Sequence, residues 1–520
     1  MRTIETSSSP AEKVWGGSSL LNFLVNARAS KADLDALSTL GNEGWNWETL
    51  LPYTKKSETL VPLMDEALTQ SYSLPDPQIH GLNGPIKKCY PVWCDPFHFS
   101  VIKSFEALGV PWNKEPGRGS NIGSSTTLTT VDPDSATRSY SATGYYAPNV
   151  HRQNFLVITG AFVSKIVFED AEGGLKRAVG VDFVHQGRPL KIRSLRKEVV
   201  LSAGAIQTPA LLELSGVGNP QFLKKHDIPS LIDLPGAGEN LQDHVLVWCN
   251  YEVKPTLETL EVLLDPNALE EHMTLYKEKK GIIASSAVRT FSYLPASAFI
   301  SPEQIKRWGS EQGEHDRAES LGIKKQHELI RSWISDPQQA TAEIISQPGH
   351  FMWQPKPGKR YLSFAVSVTH PLSRGSVHIA SANPTDSPAI NPNYFSNPVD
   401  LEIVINAIKF VTRVVETEPL KQDVLGHASP ATDATDEELR EYVRNTFGSS
   451  FHPLGTAAML PREDGGVVDS KLKVYGTANL RVVDCSILPM EMSAHLQATV
   501  YTLAEKAADI IKAASTSSRL

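Results

Sequence analysis

A chain of 520 residues exceeds what one hydrophobic core ordinarily supports, so two joined domains are expected. Its composition, 41% hydrophobic and 21% charged, is that of an ordinary globular protein, and a formal charge of -8 gives no ground for nucleic-acid binding. No apolar run approaches the ~18 residues of a membrane span, and Met1-Arg2-Thr3-Ile4-Glu5 lacks a secretory core, so the expectation is a cytoplasmic protein without a transmembrane segment.

Along the chain, the Ser- and Thr-rich residues 1–12 read as disordered, as do 516–520. The turn Gly16-Gly17-Ser18-Ser19 lets backbone approach a ligand and offers amides and hydroxyls to phosphate or ribityl oxygens, although a plain flexible loop would read the same way. Residues 31–56 look helical, with a Trp-rich turn at Gly44-Trp45-Asn46-Trp47 and a break at Leu51-Pro52. Strands are predicted over Asn154–Thr159, Ala161–Phe168 and Val179–Val184. Next, Glu198-Val199-Val200-Leu201 reads as a buried strand and Ser202-Ala203-Gly204-Ala205 as a tight turn. Thr208-Pro209 then marks a helix start and Ser215-Gly216 its stop, which together make half a mononucleotide-binding unit.

Pro235-Gly236-Ala237-Gly238 contains Gly-x-Gly, but without a feeding strand or a third glycine it is a poor dinucleotide fingerprint. From Trp248 to Val415 polar loops alternate with strands such as Tyr361–Val368 and Ser376–Ile379, which predicts an antiparallel sheet, and a helix follows over Asp400–Val415. The four cysteines, Cys89, Cys94, Cys249 and Cys485, fit neither a disulfide framework nor a metal site. Cys89 and Cys94 could pair, although free thiols are the expectation.

The stretch from Phe451 to Asp509 is the most informative. It holds His452-Pro453-Leu454-Gly455-Thr456, the strand-like Leu480-Arg481-Val482-Val483-Asp484, and His495 just ahead of an apolar helix. An imidazole titrates near neutrality and can take a hydroxyl proton, while a strand leading to a helix N-terminus is how α/β domains hold a cofactor's polar end. A lone histidine is more often structural. Here each is flanked by turn-forming or small residues, Pro453 and Gly455 for one, Ser493 and Ala494 for the other, as reactive side chains on loops tend to be.

Taken together, these blocks resemble the glucose-methanol-choline oxidoreductase family, flavoproteins that oxidise alcohols with FAD. The blocks are Gly16 to Asn22 with Asp33, Ser202 to Gly218, Pro235 to His244, Asn391-Pro392-Asn393-Tyr394 and Phe451 to Asp509, in family order from about Lys13 to Lys512. The resemblance implies a mixed α/β fold in which an FAD-binding Rossmann-like domain (13–60, 150–245 and 450–515) is interleaved with an antiparallel-sheet substrate domain (61–149 and 246–449). It makes Gly16, Gly17 and Ser18 cofactor-binding and places Asn22, Phe23, Leu24 and Val25 along the isoalloxazine, Val163 at the adenine end, and Asp484, Cys485, Gln497 and Ala498 beside the ribityl chain and flavin. His452 matches the family's catalytic base, and His495 the second position, which in relatives is His or Asn. The helix after His495 would point its positive end at the flavin and favour its reduced, anionic form. The implied partners are a small alcohol, with Tyr293, Phe351 and Trp353 favouring an aromatic or polyketide-like one, and O2 or another electron acceptor.

Only fifteen residues precede the Gly16 block, fewer than the ~30 of a βαβ unit, so the family's N-terminal ADP-binding unit, with its Gly-x-Gly-x-x-Gly turn, is expected to be missing. On that expectation FAD-dependent alcohol oxidation competes with two alternatives, a non-redox lyase or cyclase of the same family and a truncated homologue without FAD. A non-enzymatic binding protein would tolerate loss of both histidines.

Overall fold

The computed structural model of the protein describes residues 14–62, 72, 76–286, 288–310, 320–351 and 355–517. Its centre is an antiparallel sheet in the order Thr290–Leu294, Ala342–Gln347, Arg360–Val368, Val245–Val253 and Val424–Ser429, with Gly448–Ser449 also paired to the start of Val245–Val253. Because strand side chains alternate between faces, each strand divides its residues between two environments. Val245, Val247, Cys249, Tyr251 and Val253 turn to one face and join Leu294, Ala342, Ile344 and Phe364 against the amphipathic helix Pro398–Val415. Trp248, Phe291, Tyr293, Ile345 and Ala365 turn to the other face. Glu343, the direct cross-strand partner of Tyr293, lies on that second face too.

A separate apolar core forms around a parallel strand pair, Val199–Leu201 with Leu480–Val482. The helices Lys31–Thr39, Trp47–Ser57, Gly204–Leu214 and Gln497–Ser517 pack on it through residues such as Leu37, Leu50, Leu212 and Leu503. An outer antiparallel sheet, Ala161–Asp170, Lys176–His185 and Arg188–Arg193, lies beside it. Among the described residues, no helix is long and apolar enough to cross a membrane.

Several local expectations are corrected. The helix Trp47–Ser57 runs through Pro52, which occupies only its second turn, under an Asn46 capping box. Asn154–Thr159 forms no strand; pairing starts at Ala161. The helix expected to begin at Pro209 begins at Gly204 and carries Pro209 inside. Pro209 lacks the N–H that would bond to Ala205 O, and that carbonyl instead accepts the Thr456 hydroxyl at 2.6 Å. The helix thus tolerates its proline because the His452 loop supplies the missing donor. Cys89 and Cys94 hold free thiols. Residues 516 and 517, expected to be disordered, instead end the helix Gln497–Ser517; residues 1–12, 518–520, Met352 and Trp353 lie outside the described residues.

Candidate active site

His452 owes its position to a mismatch between two chain segments. Val245 and Leu246 pair with Ser449 and Gly448, whereas Gln242 bridges Leu454, so the second segment carries extra residues between the two registers. Phe451 absorbs the bulge with a left-handed φ of 59°, and its side chain is 76% exposed. Bulges of this kind re-aim a side chain, here that of the next residue. Asp243 locks the result: its carboxylate accepts His452 N–H at 2.8 Å and Ser449 Oγ at 2.5 Å, and also the Tyr394 hydroxyl. Burial raises the Asp243 carboxyl to about 6 against the pull of these donors. The His452 Nδ1 lies 3.0 Å from Nδ1 of His244.

His495 comes from a different element, two residues ahead of the helix Gln497–Ser517. Its loop is anchored by buried Asp33, which takes Ser493 N–H at 3.0 Å, Ser493 Oγ at 2.5 Å and His370 Nε2 at 2.7 Å. The two imidazoles meet with centroids 4.6 Å apart at an angle of 74°. Phe291 packs edge-on to His495 at 5.2 Å, and Glu343 Oε1 lies 3.3 Å from its Nε2. The same Glu343 oxygen accepts the Tyr293 hydroxyl at 2.5 Å.

The electrostatics separate the two rings. Enclosure by protein, then the neighbouring rings of His495 and His244, holds His452 well below the usual imidazole range, so it is neutral and able to accept a proton at pH 7. Burial pushes the Glu343 carboxyl upward, but His495, Tyr293 and His244 outweigh it and leave Glu343 below the usual carboxylate range and therefore ionised. A neutral imidazole thus sits beside one that faces a buried anion.

The glycine-rich segment converges on the helix after His495. Gly16 O accepts from Ser19 Oγ at 2.6 Å and Ser141 Oγ at 3.0 Å, and Tyr501, on the helix, lies within reach of Ser19, Ser141 and Gln497. Gly17, with φ of 56°, has open space where a Cβ would stand, and Ser18 opens a short helix to Leu21. Asn22 Oδ1 accepts Leu24 N–H at 3.0 Å and the Arg138 guanidinium at 2.6 Å, holding Leu24 at φ 69°. Phe23 is 57% exposed, and Val25 is buried as the bridge partner of Thr129. Thr130 links Leu24 O (2.8 Å from Thr130 N) to Gln497 Nε2 (3.4 Å from Thr130 Oγ1), and Ala498 is buried in the first turn of the helix.

Asp484 and Cys485 are already engaged by protein. One Asp484 oxygen accepts Gly204 N–H at 3.0 Å and Thr208 Oγ1 at 2.6 Å, the other Ser486 N–H at 2.8 Å, which ties the strand Leu480–Val482 to the helix Gly204–Leu214. Cys485 Sγ reaches Pro453 O at 3.3 Å, bracing the His452 loop. Val163 stands apart, 39% exposed on the outer sheet opposite Phe183.

Two family models, both described as GMC oxidoreductase, match residues 5–246 and 371–504. The chain belongs to the GMC oxidoreductase family. It is 36% identical over 531 residues to Dehydrogenase mpl7 of Monascus purpureus, which takes in 97% of this chain and 84% of that protein. Among solved structures it resembles an FAD-dependent oxidoreductase from Chaetomium thermophilum (TM-score 0.87, 29% identity, 97% of this chain and 86% of that one). It also resembles a fungal aryl-alcohol oxidase (TM-score 0.82, 29% identity, 95% and 85%).

The GMC family match corrects one expectation. A missing ADP-binding unit is not borne out, because the N-terminal family model takes in residues 5–246. The cofactor is FAD. The residues present fit such a group. Gln497 Oε1 and Tyr501 Oη are buried without a well-aligned partner, beside the open backbone of Gly17 and near the amino end of a 21-residue helix, where a ring system bearing donors and acceptors and turning anionic on reduction finds complementary groups.

Glu343 and His244 escaped the sequence reading. Glu343 sits in Ala342-Glu343-Ile344-Ile345, an unremarkable strand until its partner Tyr293 is known. For His244 a signal existed: Gln242-Asp243-His244 is a polar triplet immediately ahead of a nine-residue buried strand.

Proposed function

We propose that this GMC oxidoreductase oxidises an alcohol to a carbonyl compound, with His452 as base and His495 as partner of the reacting oxygen. The observation that carries the reading is the contrast between a neutral His452 and a His495 set against ionised Glu343. Bound FAD supplies a two-electron acceptor for the hydride of the carbinol carbon. The hydroxyl proton passes to His452, and His495, oriented by Glu343, hydrogen-bonds the oxygen as negative charge grows on it.

The cofactor is held by segments 13–60, 150–245 and 450–515, with Gly16, Gly17, Ser18, Asn22, Phe23, Leu24, Val25, Gln497 and Ala498 along the flavin. Asp484 and Cys485 brace the surrounding loops, and Val163 serves the adenine end. Segments 61–149 and 246–449 supply the substrate wall. That wall is aromatic: Trp248 stacks on Phe351 at 3.8 Å, Phe351 meets Phe23 at 6.3 Å, and Phe291 touches His495. A planar aromatic or polyketide-like alcohol suits such a surface, and similarity to a fungal aryl-alcohol oxidase supports the same class. O2 or another acceptor then takes the electrons.

The test is anaerobic mixing of FAD-loaded protein with benzylic, polyketide-derived and aliphatic alcohols while the flavin absorbance is followed. Bleaching by aromatic alcohols is expected, slowed by ~10²–10⁴ in His452→Ala. A variant that bleaches at full rate with FAD bound removes His452 from the reaction. Turnover of a candidate without bleaching and without an electron acceptor would replace oxidation by lyase chemistry.

A further inference from the structure

His244 is buried at 3% exposure, and neither of its ring nitrogens is free. Its Nε2 lies 2.8 Å from the carbonyl oxygen of Thr369. A carbonyl oxygen only accepts, so Nε2 must carry a proton. Burial, with smaller contributions from His495 and His370, lowers the ring to about 4, against the opposing effects of Glu343 and the Thr369 carbonyl. The ring is therefore neutral at working pH, and its Nδ1 holds a lone pair. Glu491 approaches the same Nε2 only to 3.6 Å, and burial keeps that carboxyl well above its usual range, so it offers no competing anion.

Nδ1 of His244 in turn faces Nδ1 of His452 at 3.0 Å. Two lone pairs at that distance would repel, so the one proton compatible with the contact sits on His452 Nδ1. A neutral imidazole carries a single N–H, which leaves the lone pair of His452 on Nε2. We propose that His244 is a positioning residue that fixes the tautomer of His452 and leaves Nε2 as the nitrogen that takes the hydroxyl proton. This rests on the reading of His452 as the base. In the step, the substrate O–H bond breaks, the Nε2–H bond forms, and the positive charge stays on His452. Its Nδ1–H keeps pointing at the His244 lone pair, and the Thr369 carbonyl prevents His244 from passing on its own proton.

The pairing is built into the backbone. Asp243 fixes the main chain of His452 while the next residue, His244, fixes its ring, and Ser450 N–H donates to His244 O at 2.8 Å. The ring contact, an edge-to-face one with centroids 5.2 Å apart, is thus held at both ends.

The direct test is long-range proton–nitrogen NMR on FAD-loaded protein labelled with ¹⁵N-histidine, the His452 signals being assigned by their loss in His452→Ala. A protonated Nδ1 and an unprotonated Nε2 are expected; the reverse tautomer overturns the proposal without reference to any substrate. Kinetics supply a second readout. His244→Leu removes the acceptor and should slow flavin reduction by about 10–10²-fold with KM little changed, while His244→Asn, which retains an acceptor, should restore the rate to within a few-fold. Equal rates in wild type and His244→Leu, or equal loss in Leu and Asn variants that both bind FAD, would sink the positioning role. Full activity in His452→Ala would instead remove the base assignment beneath it.

Discussion

Two imidazoles with centroids 4.6 Å apart rest in opposite surroundings. His452 stands on a bulge, contacts a neutral ring and is itself neutral. His495 stands ahead of a helix and faces an ionised carboxylate that also accepts the hydroxyl of its cross-strand partner Tyr293. The same side chain is therefore set in two environments: His452 has no anion beside its ring, whereas His495 has a carboxylate oxygen 3.3 Å from its Nε2.

That contrast breaks if the two positions prove interchangeable. The largest effect is expected at His452, where alanine removes the proposed proton acceptor and ~10²–10⁴ of rate. His495→Asn keeps a donor and should lose only about tenfold in flavin reduction. Equal losses at both positions would erase the division of roles. Glu343→Gln sharpens the comparison from behind, since it keeps the shape and the Tyr293 contact but removes the charge. About tenfold lower kcat at similar KM is expected, and an unchanged kcat would make Glu343 a mere partner of Tyr293.

The smallest effect concerns the His452 clamp. Asp243 titrates at about 6 in the fold, against an ordinary value of 3.8. Because the folded value is raised, this group's stabilising contribution is full below about 4 and is lost as pH rises through about 6. Asp243→Asn should remove that slope, about 2 kcal/mol between pH 4 and pH 6, in urea unfolding at pH 4, 5 and 6. An identical slope in wild type and variant would show that Asp243 ionises as an ordinary carboxyl.

How much of this was legible depended on whether a residue acts through its own neighbours in sequence. His452, His495 and the Gly16-Gly17-Ser18 turn carry their signals in adjacent glycine, proline and small residues, and the resemblance placed them together. Glu343 and His244 act through register: Tyr293 opposite Glu343, and residues 242–246 beside 448–454. Such pairings are decided by tertiary packing. The same holds for Pro209, read as a helix start because propensity cannot foresee that Thr456, from the His452 loop, would satisfy the carbonyl it leaves free.

The bulge that carries His452, the proposed base, has a consequence for how the molecule acquires activity. The contact between His244 and His452 closes across 208 residues of chain. Contacts of such long sequence separation form late, after the intervening sheet has assembled and reduced the entropy of the loop. A refolding chain should therefore regain helical signal before it regains a working base, and the return of activity should coincide with completion of the central sheet.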